Sequence, residues 1–343
     1  MKGKQLHNRL LILALALAFG LSAGAARADT LGDVKARGVV ACGVAAAVPG
    51  FSAVDSNGKW SGLEVDYCRA LAAAIFDDPE KIVFTPLDAA GGLTALTAGT
   101  IDVLARPMVW SVRTGTQTKV KFAGTLFYDG QGFLVRKASG ITSATQLSGR
   151  PICVQSGTPA GLNVADFFSS HNMSYKPLTF DNVGDAIAAY AGGRCDVFTS
   201  NRSSMAAARS GFKDRAGNII LPEIISKEPL GLAVRQGDNA WFNVARWTLF
   251  ALINAEELGV TQANIDEMLG SDNPEIKRLL GVEDDFGAPL GLTKDWAYRI
   301  TKLVGNYGEL YERDVGPKTV IGLDRGLNNL STQGGIQYAP PVR

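Results

Sequence analysis

The segment Gly99-Thr100-Ile101-Asp102-Val103 is matched later in the chain by Gly193-Arg194-Cys195-Asp196-Val197. Both segments have the frame Gly-x-x-Asp-Val, and each follows an alternation of strand-like and helix-like stretches. Although the repeat is short, its position indicates that two similar strand–helix–strand units end here. Such alternation favours a parallel sheet covered by helices, so the sequence predicts an α/β fold in two similar halves.

The hydrophobic pattern gives each half the same order of elements. In the first half it predicts strands at 39–44, 81–86 and 101–104, and helices at 63–76 and 93–98. In the second half it predicts strands at 151–155, 175–180 and 195–199, and helices at 160–168 and 183–191.

Two segments, 130–136 and 229–235, are extended and contain glycine. This pattern predicts that the chain crosses between the two halves at both. A chain that crosses twice forms a two-strand hinge with a cleft between two lobes, where open α/β sheets bind ligands. We therefore predict one lobe from 29–131 and 233–343, and a second from 132–232. Helices predicted at 240–258, 264–268, 273–280 and 294–312 form a C-terminal extension of the first lobe.

The N-terminus has the pattern of a secretory signal peptide. Lys2, Lys4 and Arg9 precede an apolar run at 10–25, and Ala26-Arg27-Ala28 offers a cleavage site after Ala28. A membrane anchor is the alternative, but the run is short for a bilayer span of about 20 residues. We therefore expect an exported, periplasmic protein.

The composition of the remaining chain excludes several classes of function. Residues 1–28 hold four basic and no acidic residues, so the rest has 30 basic and 33 acidic residues, a net charge of −3. A nucleic-acid partner is not expected from such a balance. His171 is the one histidine after residue 28, and no Cys-x-x-Cys occurs, so the sequence predicts no metal site and no cofactor.

Four cysteines pass into an oxidising compartment in such a protein, where cysteines pair. Three pairings are possible. Cys42 and Cys68 belong to the first predicted lobe, and Cys153 and Cys195 to the second. Because bonds within a lobe leave the hinge free, we predict the disulfides Cys42–Cys68 and Cys153–Cys195.

The ends of the predicted strands and the loops behind them suggest where a ligand binds. A helix start at 155–158 offers free backbone N–H groups and the hydroxyl of Thr158 to an anionic group, although Thr158 could simply cap the helix. The strand end at 199–202 opens on the same cleft. Segments 104–106 and 110–114 face it from the first lobe.

Several long stretches resemble the general L-amino-acid-binding proteins of bacterial ABC importers, in the polar amino-acid binding family. They include Tyr128-Asp129-Gly130-Gln131-Gly132-Phe133, Cys153-Val154-Gln155-Ser156-Gly157-Thr158, Ser226-Lys227-Glu228-Pro229-Leu230-Gly231 and Trp247-Thr248-Leu249-Phe250-Ala251-Leu252. The resemblance implies a type II periplasmic binding protein fold that closes on a small polar solute, an amino acid or a related compound. It also implies docking on a permease and ATPase of the inner membrane, with the protein acting as a monomer.

Three positions depart from that family's pattern. The arginine that usually pairs with the ligand carboxylate is replaced by Thr114, an assisting Ser or Thr by Val109, and the acidic residue that holds the ammonium by Asn201. Because threonine cannot form the two charge-assisted bonds of an arginine, the identity of the solute is open. Arg113 or Arg106 could supply the carboxylate contact from a shifted backbone.

The predicted ligand-binding residues are Phe51, Arg106, Val109, Trp110, Ser111, Arg113, Thr114, Gln155, Thr158 and Asn201. The first hypothesis is a non-catalytic importer component. Its alternatives are a binding protein for a non-amino-acid carboxylate or another small polar ligand, a periplasmic dehydratase on the same fold, and a receptor that signals to a chemotaxis or sensor protein.

Overall fold

The computed structural model describes residues 29–45 and 47–343. Their helices and strands follow in the order α1 (Thr30–Arg37), β1 (Val40–Val44), β2 (Ala47–Val48), β3 (Ser52–Val54), β4 (Trp60–Ser61), α2 (Leu63–Phe76), β5 (Ile82–Pro86), α3 (Ala89–Ala98), β6 (Val103–Leu104), α4 (Val112–Thr116), β7 (Val120–Asp129), β8 (Gln131–Arg136), β9 (Pro151–Gln155), α5 (Pro159–Ser170), β10 (Lys176–Phe180), α6 (Val183–Ala191), β11 (Val197–Asn201), α7 (Arg202–Ser210), β12 (Asn218–Ile220), β13 (Glu228–Arg235), α8 (Asn239–Glu257), α9 (Ile265–Met268), α10 (Pro274–Leu279), α11 (Trp296–Leu303) and α12 (Tyr307–Asp314).

Two five-stranded sheets form the two lobes. The first has the order β5-β1-β6-β13-β7, and the second β10-β9-β11-β8-β12. In each sheet four strands run one way and one, β13 or β8, runs the other way. The predicted two-lobed α/β fold with parallel-rich sheets is confirmed.

The hinge is narrow because one residue, Gly130, separates β7 of the first sheet from β8 of the second. A Cβ atom at Gly130 would lie 2.3 Å from Cγ2 of Ile224 and 2.6 Å from the carbonyl oxygen of Ser226. Only glycine therefore lets the outgoing and returning segments pass this closely.

The second crossing brings the chain back to the first sheet at β13. This strand pairs with β7 along its whole length, so residues 228–232 lie in the first sheet and Gln131 in the second. The predicted lobe boundaries, at 131/132 and 232/233, therefore differ by a few residues from the points at which the chain changes sheets. The division of the chain into these two lobes stays a prediction.

The C-terminal helices pack on the helices of the first lobe. Trp241 and Trp296 are fully buried there, and the hydroxyl of Tyr67 in α2 donates to the carbonyl of Ala245 in α8 at 2.7 Å. The predicted helix at 294–312 is wrong as one element. Gly305 takes φ 109°, and Asn306 starts the separate helix α12 with a capping box to Glu309.

Both predicted disulfides are present, one in each lobe. Cys42–Cys68 links β1 to α2, and Cys153–Cys195 links β9 to the segment before β11. All four cysteines are fully buried. Neither bond crosses the cleft, so neither disulfide restrains the movement of one lobe relative to the other.

Two further predictions concern the N-terminal segment and membrane insertion. The signal peptide and its cleavage site after Ala28 lie outside the described residues. Within residues 29–45 and 47–343, none of the helices combines the length and apolar character needed to cross a bilayer.

Candidate functional site

A cavity of about 690 Å³ lies between the lobes, at the hinge. Most of its lining side chains carry a hydroxyl or an amide, and both lobes contribute. The lining residues are Val109, Ser111, Thr114, Gln131, Gln155, Thr158, Pro159, Ala160, Asn163, Val183, Thr199, Ser200, Asn201, Ser204, Ser226, Lys227 and Glu228. Its size is within the range of small-molecule sites.

The first lobe contributes the start of α4. Ser111 and Thr114 form a capping box, in which the backbone N–H of Ser111 donates to Oγ1 of Thr114 at 2.9 Å. The Thr114 hydroxyl in turn donates to the carbonyl of Val109 at 2.7 Å. Val109 is itself paired with Leu230 of β13, so this wall of the cavity is fixed to the returning hinge strand.

The second lobe contributes the N-terminus of α5. Thr158 is the N-cap, with its Oγ1 accepting from the N–H of Ala160 at 3.3 Å and donating to the carbonyl of Gln155 at 3.1 Å. The two interpretations of Thr158 are compatible, because it caps the helix and also lines the cavity. The positive end of the 12-residue helix therefore faces the cavity.

The floor of the cavity is a closed network around the buried amide of Gln131. Its Nε2 donates to the carbonyl of Ala160 at 3.0 Å and to Oγ1 of Thr199 at 2.9 Å. Its Oε1 accepts from Nδ2 of Asn163 at 2.9 Å, and Thr199 donates to the carbonyl of Gly132 at 2.7 Å. These groups hold one another in place, which gives the solute a preformed surface.

Two charged residues, Lys227 and Glu228, line the cavity at the start of β13. Asn201 donates through Nδ2 to Oε2 of Glu228, and Ser226 donates to Oε1 of the same carboxylate at 2.8 Å. Sequence reasoning missed both charges, together with Gln131 and Asn163. A signal was available, since the pair Lys227-Glu228 directly precedes a predicted crossing strand.

Two predicted site residues, Phe51 and Arg106, lie in a separate small pocket inside the first lobe. Glu64 shares this pocket and accepts from the hydroxyl of Ser52 at 2.8 Å. Burial raises the pKa of Glu64 to about 8, whereas the Ser52 hydrogen bond and the charge of Arg106 lower it. Burial lowers the pKa of Arg106, whereas the Coulombic interactions with Glu64 and Asp88 raise it.

Trp110 and Arg113 stand outside the cavity lining. The ring of Trp110 stacks on Phe122 with centroids 5.3 Å apart, and its backbone N–H donates to the carbonyl of Pro229 at 2.8 Å. Arg113 is exposed on α4. The structure therefore brings Val109, Ser111, Thr114, Gln155, Thr158 and Asn201 together, and places Phe51, Arg106, Trp110 and Arg113 elsewhere.

Residues 40–264 match the family model of the bacterial extracellular solute-binding proteins, family 3. The chain belongs to this family. Over the described residues, no group of three or more His, Cys, Asp or Glu side chains is arranged to hold a metal ion.

Relatives match the chain over nearly its whole length. The general L-amino acid-binding periplasmic protein AapJ of Rhizobium johnstonii is 52% identical over 98% of this chain and 100% of its own length. The glutamate/glutamine/aspartate/asparagine-binding protein BztA of Rhodobacter capsulatus is 47% identical, over 94% of this chain and 96% of its own.

A solved structure shares this architecture. It is an ABC transporter periplasmic binding protein from Brucella ovis with glutathione bound, 52% identical, with a TM-score of 0.83 over 92% of this chain and 100% of its own. The resemblance to the general L-amino-acid-binding proteins is thus confirmed.

Proposed function

We propose that this protein captures an amino acid, or a small peptide built from amino acids such as glutathione, and delivers it to an ABC permease. The observation that carries the proposal is the cavity between the lobes, whose lining has many hydroxyls and amides and one charge of each sign. A zwitterionic solute is complementary to such a lining.

The relatives support this class of solute. One is named for general L-amino acids, a second for four acidic or amide amino acids, and a third holds glutathione. These solutes share an ammonium group and a carboxylate. A cavity of about 690 Å³ has room for the tripeptide as well as for a single amino acid.

The carboxylate of the solute is bound without an arginine in this proposal, because no arginine occurs among the described residues that line the cavity. Available donors are the hydroxyls of Ser111 and Thr114, the N-terminus of α5 at Thr158, and the ammonium of Lys227. Neutral donors, a helix N-terminus and a single ammonium group each bind carboxylate more weakly than a bidentate arginine. We therefore expect moderate affinity.

The proposal includes binding without catalysis and a monomeric state. Bound solute should be recovered unchanged by mass spectrometry after prolonged incubation with the protein. Light scattering of the purified protein should give the mass of one chain, with or without solute.

Titration calorimetry with the common L-amino acids, glutathione and glutathione disulfide tests the proposed function. At least one of these should bind with a one-to-one stoichiometry and raise the melting temperature. If none binds, while a dicarboxylate that lacks an amine does, the amino-acid class is overturned and the scaffold serves another polar ligand.

A further inference from the structure

The carboxylate of Glu228 is the one anionic group among the residues described as lining the cavity. Glu228 begins β13, at the point where the chain returns across the hinge. The side chain is half-buried. It is therefore accessible from the cavity and partly shielded from bulk water.

Both oxygens of this carboxylate are held by neutral donors. Oε1 accepts from the hydroxyl of Ser226 at 2.8 Å, and Oε2 accepts from Nδ2 of Asn201. The same Ser226 oxygen accepts from the backbone N–H of Gln131 at 2.8 Å. The carboxylate is thus fixed by Ser226 of the returning crossing, which the backbone of Gln131 holds in place, and by Asn201 at the end of β11.

No cation neutralises Glu228 within residues 29–45 and 47–343, where none of the ion pairs includes it. Lys227 lines the same cavity but forms no ion pair in that part of the chain. The buried Asp129 is a second acidic group nearby, since burial raises the pKa of Asp129 and the charge of Glu228 raises it further. A fixed, half-buried anion without a counter-ion attracts a cation from the solute.

The conformation of Asn201 supports this interpretation. Asn201 stands at the N-cap of α7, where an asparagine side chain ordinarily accepts a backbone N–H of the first turn. Here it makes no such bond and turns toward Glu228 instead. The amide therefore orients the carboxylate at the expense of capping its own helix.

We propose that Glu228 binds the ammonium group of the solute, and that Asn201 and Ser226 are positioning residues for its carboxylate. This inference rests on the proposed function, since it assumes an amine-bearing solute. It identifies a specificity determinant on the returning hinge strand, in contact with Asn201 of the second lobe.

The test compares Glu228→Gln with the wild-type protein by calorimetry, using L-glutamine, L-glutamate and glutathione, each beside its N-acetylated counterpart. Because an ion pair in a closed cleft is lost, affinity for the amine-bearing probes should fall at least 100-fold. Any weak binding of the acetylated probes should change by less than about threefold. Asp166→Asn, an exposed carboxylate-to-amide change on α5, is the matched control and should bind as the wild type does.

A second pair of variants separates charge from structure. Glu228→Asp keeps the charge and should retain more affinity than Glu228→Gln. The double variant Asn201→Asp, Glu228→Gln moves the carboxylate across the same hydrogen bond and should restore binding of the amine-bearing probes. Melting temperatures establish that each variant is folded.

The outcomes distinguish this inference from the proposed function. If the wild-type protein binds an amine-bearing probe and Glu228→Gln binds it equally well, the assignment of Glu228 is overturned and the proposed function survives. If the wild-type protein binds neither these probes nor any common amino acid, the proposed function fails, and the inference fails with it.

Discussion

At the scale of single residues, the amide of Gln131 is the centre of the cavity floor. It bonds to the carbonyl of Ala160, to Thr199 and to Asn163. Gln131→Met removes these bonds and leaves buried polar groups unpaired, which should lower the free energy of unfolding by about 2 kcal/mol. Urea denaturation measures the loss.

The matched control for this variant is Gln117→Met, the same substitution at an exposed position. It should change the free energy of unfolding by less than about 0.5 kcal/mol. Equal stability of the two variants would show that the network around Gln131 contributes nothing to folding.

A second residue, Glu64, makes stability depend on pH. Burial raises its pKa from 4.5 to about 8, so between these values the folded protein holds a proton that the unfolded chain has released. The resulting stabilisation is fully present below about pH 4.5. It is lost progressively as the pH rises from there to about 8. Between pH 6 and 9 this one group should lower the free energy of unfolding by about 3 kcal/mol.

The variant Glu64→Gln tests the origin of this dependence. It keeps an acceptor for the hydroxyl of Ser52 but cannot titrate. Asp314, whose pKa burial raises to about 8, titrates in both proteins, so the difference between their pH profiles isolates Glu64. Denaturation curves at pH 6, 7, 8 and 9 should show a shallower decline for the variant, and parallel profiles would assign the effect elsewhere.

The candidate site shows what can and cannot be predicted residue by residue. The strand-end rule placed Gln155, Thr158 and Asn201 at the cleft, because the carboxyl ends of neighbouring parallel strands meet at one edge of a sheet. It could not show that the side chain of Arg106 turns into a separate pocket beside Glu64. Nor could it show the contact between Asn201 and Glu228, since that contact depends on how the end of β11 lies against the start of β13.

At the scale of elements, the two disulfides each tie a strand to a neighbouring element of the same lobe. The loops that they close span 26 and 42 residues. Restriction of the unfolded chain should then stabilise each lobe by about 3–4 kcal/mol. The paired variants Cys42→Ala, Cys68→Ala and Cys153→Ala, Cys195→Ala should each lose about this much in urea denaturation.

The solute affinity of the folded protein provides the control for these variants. Because neither disulfide spans the cleft, the dissociation constant of each paired variant should stay within about twofold of the wild-type value at a temperature where it is folded. A large loss of affinity in a folded variant would mean that the bond also shapes the cavity.

The ends of helices could be predicted where capping residues or proline mark them. Proline at the start of α5 and Thr158 before it mark that helix end clearly. The break at Gly305 between α11 and α12 was missed, since an apolar periodicity continues across it. The short strands β2, β3 and β4 were also missed, because two- and three-residue strands give too little alternation to detect.

At the scale of the whole molecule, the repeat Gly-x-x-Asp-Val and the alternation of elements were enough to predict two lobes, since both lobes obey the same local rules. They could not predict that the lobes are also joined by hydrogen bonds at a third place, besides the two crossings of the chain. Residues 319–328, which we call the C-terminal strap, run from the first lobe past the hinge.

The strap is anchored on both lobes. On the first lobe, the amide of Asn328 pairs with the backbone of Tyr128, and Arg325 forms an ion pair with Glu256 at 3.0 Å. On the second lobe, Arg209 donates to the carbonyl of Ile321 at 2.7 Å, and Arg215 to that of Val320 at 3.1 Å. These two arginines therefore limit how far the second lobe can move from the first.

The double variant Arg209→Ala, Arg215→Ala should release this restraint. Spin labels at Ser56→Cys in the first lobe and Lys176→Cys in the second, both exposed, report the distance between the lobes. In the absence of solute, the distance distribution should be broader in the variant, because bonds to backbone carbonyls that lie across the hinge are lost. Lys213→Ala, an exposed cation on the same lobe, should leave the distribution unchanged. If the double variant matches this control, the hinge strands alone set the opening of the cleft and the strap only covers the first lobe.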